Sequence, residues 1–201
     1  MTLSHKTILL KQTKQRQFLR VRDAVRQGAS RESLRRLVAA GELQRVGRGI
    51  YVHSDAPPTE HRTLVEASLI VPSGVISLLS ALRFHQITTQ APFEMWMAID
   101  VKAWRPRFGD APIRIVRFSG QALAMGIEQH TVEGVQIKVY CAAKTVADCF
   151  KYRNKIGIDV AIEALREAVH SKKATLANIE KYAAVCRVAN VMRPYLEMLT
   201  S

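Results

Sequence analysis

Four glycines, Gly28, Gly41, Gly47 and Gly49, cut one short stretch of this chain into pieces too small to fold in many ways. Ahead of Gly28, Phe18, Leu19, Val21, Ala24 and Val25 form an apolar stripe that predicts a helix stopping at that glycine. After a turn of Gln27-Gly28-Ala29-Ser30, Ser30 is placed to cap a second helix. In that helix Leu34, Leu37 and Val38 share one face, and it ends at Gly41. The period then changes. Leu43 and Arg45, then Ile50, Tyr51 and Val52, read as two short strands joined by a Gly47-Arg48-Gly49 tip. Helix, turn, helix, hairpin is the order of a winged helix-turn-helix. A further short helical stretch is expected at about 6–14.

Charge concentrates on the same segment. Residues 1–56 hold 12 Lys and Arg against 4 Asp and Glu, a balance of +8, whereas the remaining residues contribute +5 to the total of +13. A polyanion is therefore expected at the N-terminal region. On the second helix Glu32, Arg35, Arg36 and Ala39 project away from the apolar face, with Arg31 and Ser33 flanking them near its start. In a helix-turn-helix that outward face enters the major groove, where an arginine bonds a guanine edge in bidentate fashion. The helix N-terminus favours phosphate. Arg45 and Arg48 ride on the wing, and Gly47 and Gly49 let its tip come close to a backbone. Ser30, Arg31, Ser33, Arg35, Arg36, Arg45 and Arg48 are thus the expected contacts to double-stranded DNA, with Gly47 and Gly49 shaping the wing turn.

Pro57-Pro58 reads as a linker, dividing the chain into residues 1–56 and 57–201. The second part is expected to be mixed α/β, which makes the whole chain α+β. Helices are predicted over 59–71 and 75–84, broken at Pro72-Ser73-Gly74. Strands follow over 94–101, 113–118 and 135–140, then helices over 145–152, 159–169, 175–188 and 191–199. The most apolar stretch, 64–82, is interrupted by Glu66, Pro72, Ser73 and Gly74, so no membrane span is expected. Ile8-Leu9-Leu10 is too short for the apolar core of a signal peptide. The three cysteines are odd in number, which points to a reducing, cytoplasmic setting.

The run from Gly28 to Tyr51, with its helix ending in Ala40-Gly41 and its Arg45-Val46-Gly47-Arg48-Gly49-Ile50-Tyr51 wing, resembles the N-terminal domain of AbiEi-type antitoxins of type IV toxin–antitoxin systems. Ser77-Leu78-Leu79-Ser80-Ala81-Leu82 with His85 resembles the segment that opens the second domain of that family. Ala143-Lys144-Thr145-Val146-Ala147-Asp148 resembles its Arg-Thr-Leu-x-Asp stretch, with Lys144 in place of Arg and Val146 in place of Leu. The resemblance implies a winged helix that binds inverted repeats in its own promoter and represses transcription. It also implies a C-terminal antitoxin domain that neutralises a nucleotidyltransferase-like AbiEii toxin, with or without direct contact.

Chemistry is otherwise sparse. No Walker, Rossmann, His-Glu-x-x-His or Gly-x-Ser-x-Gly motif is present, and no cofactor, metal or catalytic residue is expected. Cys141, Cys149 and Cys186 are spaced poorly for zinc and read as packed thiols. His61, His85 and His130 are scattered. Gln136 and Lys138 with Asp100, Asp110 or Glu133 faintly suggest a metal-dependent nuclease, but strand alternation explains them equally. Thr145 is expected to cap a helix containing Asp148, leaving Lys144 just outside it and able to meet a toxin or nucleic acid, and Lys144 and Asp148 are the candidates for toxin neutralisation. Trp104, beside Arg105 and Arg107, reads either as a base-stacking residue or as a half-buried loop anchor. Lys151, Tyr152, Arg153 and Lys155 form a small basic cluster. A winged-helix regulator with a sensing or protein-interaction C-terminal domain and no toxin also fits.

Overall fold

In the computed structural model, the residues described are 18–26, 28–47, 49–56, 59–108 and 111–200. The stretch expected at 6–14, Gln27, Arg48, Pro57-Pro58 and Asp110 lie outside them. By their contacts they divide into two compact units. The first takes the described residues of Met1–Pro72, Pro106–Ala111 and Thr131–Gln136, and the second takes Ser73–Arg105, Pro112–His130 and Ile137–Ser201.

The first unit starts with a strand. Phe18–Arg20 (β1) pairs antiparallel with Ile50–His53 (β3), which pairs antiparallel with Leu43–Gly47 (β2), giving a sheet of order β1-β3-β2. The expected single helix through Phe18 is therefore corrected: helix α1 begins only at Val21 and runs Val21–Arg26. Phe18, Leu19 and Arg20 take their backbone partners from Val52, Tyr51 and Ile50, a pairing that local periodicity does not reveal. Within α1, Ala24 is buried while Val25 is exposed, so the stripe is narrower than read.

A glycine stop ends each of the two helices. Ala29 N–H donates to Ala24 O and Gly28 N–H to Val25 O, with Gly28 at φ +88°, which is the Schellman arrangement. Helix α2, Arg31–Ala39, then starts at Ser30, whose Oγ accepts from Ser33 N at 3.0 Å. It closes in the same way at Gly41 (φ +73°), through Glu42 N–H to Leu37 O and Gly41 N–H to Val38 O. Leu19, Ala24, Ala29, Leu34, Leu37 and Leu43 form the small core beneath. Helix α3, Arg62–Ile70, packs in this unit too: a Cβ at Gly47 would lie 2.9 Å from Ile70 Cγ1.

The second unit holds the strands Val75–Ile76 (β4), Met95–Asp100 (β5), Ile113–Phe118 (β6), Ile127–Val132 (β7) and Val135–Tyr140 (β8). Part of β7 and β8, at the turn between them, falls within the first unit. Their sheet has the order β6-β5-β4-β8-β7, with β5–β6 and β4–β8 parallel and β4–β5 antiparallel. Residues 75–84, expected as one helix, are instead β4 followed by helix α4, Leu78–Phe84. A short helix α5, Gly120–Ala124, precedes β7. Helices α6 (Ala142–Lys151), α7 (Arg153–Ile156), α8 (Ile158–His170), α9 (Leu176–Val185) and α10 (Ala189–Thr200) complete the unit. Its core draws Leu78, Leu82, Trp96, Tyr140, Val146, Phe150 and Leu165 into one cluster. Cys149 and Cys186 are buried and Cys141 is half-buried, all three as free thiols. No described helix is long and apolar enough to cross a membrane.

Candidate nucleic-acid interface

Helix α2 presents one polar face. Leu34 and Leu37 point into the core, while Arg31, Glu32, Arg35 and Arg36 are exposed. The reason is the sequence spacing: leucines three apart turn one side inward and leave the intervening charges outward. Among the described residues Arg31 and Arg35 form no ion pair or hydrogen bond, so both guanidinium groups are available to a ligand. Arg36 is different. Its Nη2 pairs with Glu32 Oε1 one turn earlier. Both side chains are largely exposed, and such a pair contributes only about 0.3–0.5 kcal/mol, so Glu32 holds Arg36 only weakly.

The helix start is built from two serines. Besides accepting from Ser33 N, Ser30 Oγ lies 2.9 Å from Ser33 Oγ. One backbone donor is thereby satisfied inside the protein, and the other first-turn N–H groups keep the partial positive charge of the helix end.

The wing is irregular. Arg45 stands opposite Tyr51 and Gly47 opposite Ile50, so Val46 is the extra residue of a bulge. Arg45 Nε bridges that bulge by donating to Gly47 O at 3.2 Å, which holds the exposed guanidinium on the wing. Gly49 has φ +72°, a conformation that favours glycine, and its carbonyl accepts from Val21 N–H at 2.9 Å. Gly47 was read from sequence as letting the tip come close to a ligand backbone. Its open flank instead faces Ile70 inside the protein.

A strand, two short helices in tandem with four residues between them, and a hairpin whose outer surface carries arginine make a winged helix whose second helix has a basic exposed face. Residues 9–52 match the family of AbiEi antitoxin transcriptional regulators. The AbiEi match thus covers α1, α2 and nearly all of the wing. No curated protein matches the chain.

The stretch 143–148 sits differently from expectation. Helix α6 starts at Ala142, so Lys144 and Thr145 lie within it, not before it. Thr145 makes no cap; its Oγ1 donates to Tyr140 O at 3.1 Å. His85 Nε2–H donates to the same carbonyl at 2.7 Å, and burial pushes that imidazole below its ordinary pKa. Lys144 is 0% exposed. Its ammonium donates to both oxygens of Asp148 at 2.6 Å and lies 4.2 Å from the Tyr140 ring and 4.7 Å from the Phe118 ring. Cys186 Sγ adds a third donor to Asp148 at 3.2 Å.

Burial pushes the Asp148 carboxyl up to about 6 against the opposing pull of Lys144, and burial beside Asp148 pushes the Cys186 thiol up to about 12. Lys144 and Asp148, the candidates for toxin neutralisation, both lie in the core and offer no surface for direct contact with a macromolecule. Sequence spacing held a signal for this pair, since Lys and Asp four apart meet on a helix. Cys186, distant in the chain, gave none.

The remaining candidates do not converge. Gln136 Nε2 donates to Thr131 Oγ1 at 2.6 Å, and β4 separates the strand of Lys138 from that of Asp100. Among the described residues no three His, Cys, Asp or Glu side chains gather as metal ligands. His130 pairs with Glu128 at 3.2 Å, while His61 stands at the start of α3. Lys155 lies over the Tyr152 ring, whose hydroxyl donates to Arg117 O at 3.1 Å.

Proposed function

We propose that this protein is an autoregulatory antitoxin and not an enzyme: a cytoplasmic repressor whose winged helix binds inverted repeats in its own promoter and whose C-terminal region neutralises a nucleotidyltransferase-like toxin. The carrying observation is that the AbiEi match falls on the segment whose second helix turns Arg31, Arg35 and Arg36 outward together. Helix α2 enters the major groove, and Arg35 reads a guanine edge with Arg36 joining it once Glu32 lets go. Arg31 and the α2 N-terminus hold phosphate. Arg45 and Arg48 bring the wing onto the backbone alongside. Neutralisation then falls to surface groups of the second unit other than Lys144 and Asp148.

The test is fluorescence anisotropy on a fragment of the chain's own upstream DNA, against scrambled competitor and across a salt series. Competitor-resistant binding with a log–log salt slope of about −4 to −7, as expected for roughly five to eight phosphate contacts, supports the reading. The Arg35→Ala, Arg36→Ala double variant should lose specific binding and keep its fold. Unchanged specific affinity in that variant overturns the helix assignment. The toxin half is tested separately, by growth rescue when the full chain is co-expressed with an adjacent nucleotidyltransferase-like gene. A second reading, a regulator whose C-terminal region senses a ligand and serves no toxin, is favoured by the end of the AbiEi match at residue 52. Specific DNA binding without rescue would select it.

A further inference from the structure

Trp104 is 95% exposed on the loop that leaves β5. The half-buried anchor that the sequence allowed is therefore not what this indole does. Nor is the turn that delivers it slack. Arg117 Nη1 reaches the carbonyls of Asp100, Val101 and Ala103 at 3.1, 2.8 and 2.9 Å. Val101 N–H donates to Phe118 O at 2.8 Å and Ala103 N–H to Asp100 O at 3.0 Å. Asp100 Oδ1 accepts from Lys102 N–H at 2.7 Å, which turns that carboxylate back onto the backbone. The chain is thus fixed up to the residue before Trp104, and a large aromatic ring is presented to solvent from a pre-set position.

The neighbours decide what that ring is suited to meet. Lys102 and Arg105 flank it in sequence and are exposed, and no acidic residue occurs from 101 to 108. An apolar protein partner would want a rim of uncharged contacts that shut out water around the anchor. Cations on both sides favour a polyanion that also offers flat apolar faces. In a duplex those faces are stacked on each other and reached only by unstacking a step. In a single strand they are open.

We infer that Trp104 is a stacking platform for an unpaired base of single-stranded nucleic acid, DNA or RNA, with Lys102 and Arg105 holding the phosphates to either side. Arg117 acts as a positioning residue through the turn it staples. Trp104 belongs to the second unit and α2 to the first, and the test stands whether or not the α2 face binds DNA.

The experiment uses the full chain and its own fluorescence. The two tryptophans are Trp104 and Trp96, and Trp96 is 4% exposed, so red-shifted, iodide-quenchable emission reports Trp104. Oligo(dT) and oligo(rU) of about 12 nucleotides are titrated in, with a duplex of the upstream DNA as a third arm. Binding should quench the red-shifted emission. Trp104→Ala should weaken single-strand affinity about 5- to 100-fold, and Trp104→Phe should retain most of it. Lys102→Ala and Arg105→Ala should each flatten the single-strand salt slope by about 0.7. Duplex affinity should stay within about twofold in every one of these variants. Binding by one oligonucleotide alone identifies the strand as DNA or RNA. Equal affinities for wild type and Trp104→Ala overturn the proposal, as does Trp104 emission that is blue-shifted and iodide-protected in the free protein.

Discussion

Replacing Lys144 by methionine probes the buried charge pair at its strongest point. The ammonium is 0% exposed, and both of its close oxygen contacts are to Asp148 at 2.6 Å. Methionine keeps most of the aliphatic stem and removes the ammonium, together with its place over the Tyr140 and Phe118 rings. Asp148 is then left with Cys186 Sγ–H as its remaining side-chain donor. Removing one partner of a buried pair costs about 3–5 kcal/mol, because the other charge stays desolvated. For a chain of this size that corresponds to a melting temperature roughly 6 to 20 °C lower. The Lys144→Met, Asp148→Leu double variant removes both charges and should recover to within about 1.5 kcal/mol of wild type. Thermal and urea denaturation of the four proteins closes the cycle. The single variant should also lose less at pH 5.5 than at pH 8, since the orphaned carboxyl can escape by taking a proton. A single-variant cost below about 1 kcal/mol, independent of pH, would refute the pairing and its burial.

Further expectations can be checked quickly. Asp148 has its pKa raised on folding, from 3.8 to about 6, so its folded form takes up a proton before its unfolded form does. Its contribution to stability therefore grows as pH falls through 6, and from pH 7 to pH 5 wild type should gain on the order of 1 kcal/mol relative to Asp148→Asn in paired denaturation curves. Gly126→Ala should destabilise by more than about 2 kcal/mol, because φ is +76° and the new Cβ would sit 2.8 Å from Lys144 Cβ; intact thermal stability would contradict the packing. Ser30→Ala should cost about 1 kcal/mol through loss of the Ser33 N–H cap, read by chemical denaturation. Glu32→Ala should free Arg36 and remove from the exposed face of α2 a negative charge that would repel phosphate, tightening duplex binding about two- to fivefold by anisotropy.

Where local rules decide the structure, the sequence was readable. The wing and both glycine stops were legible because a positive φ leaves a residue-type signature at Gly28, Gly41 and Gly49. The outward face of α2 followed from leucine spacing alone. Pairing across the chain left no such mark. Phe18–Arg20 looks apolar and helical in isolation, and only its register with Ile50–Val52 makes it a strand. Val75–Ile76 is two residues long, too short for any period, yet it sits at the centre of the second sheet because Met97 and Ala98 lie on one side and Val139 on the other. Lys144 was misplaced for a related reason. A threonine ahead of a helical stretch reads as a cap, but the helix starts three residues earlier and Thr145 turns its hydroxyl to Tyr140 O instead.

The unequal burial of the three thiols makes the second unit its own stopwatch. Cys141 is partly accessible, whereas Cys149 and Cys186 are sealed, and burial holds both of those thiols in the unreactive protonated form. An alkylating reagent added to the native protein should mark Cys141 first and reach the other two only when the core opens. Because Cys149 lies on α6 and Cys186 follows α9, the order in which they are marked distinguishes departure of the terminal helices from global unfolding. Mass spectrometry of the modified protein over time would therefore yield an opening free energy for each layer, with no label introduced and no residue changed.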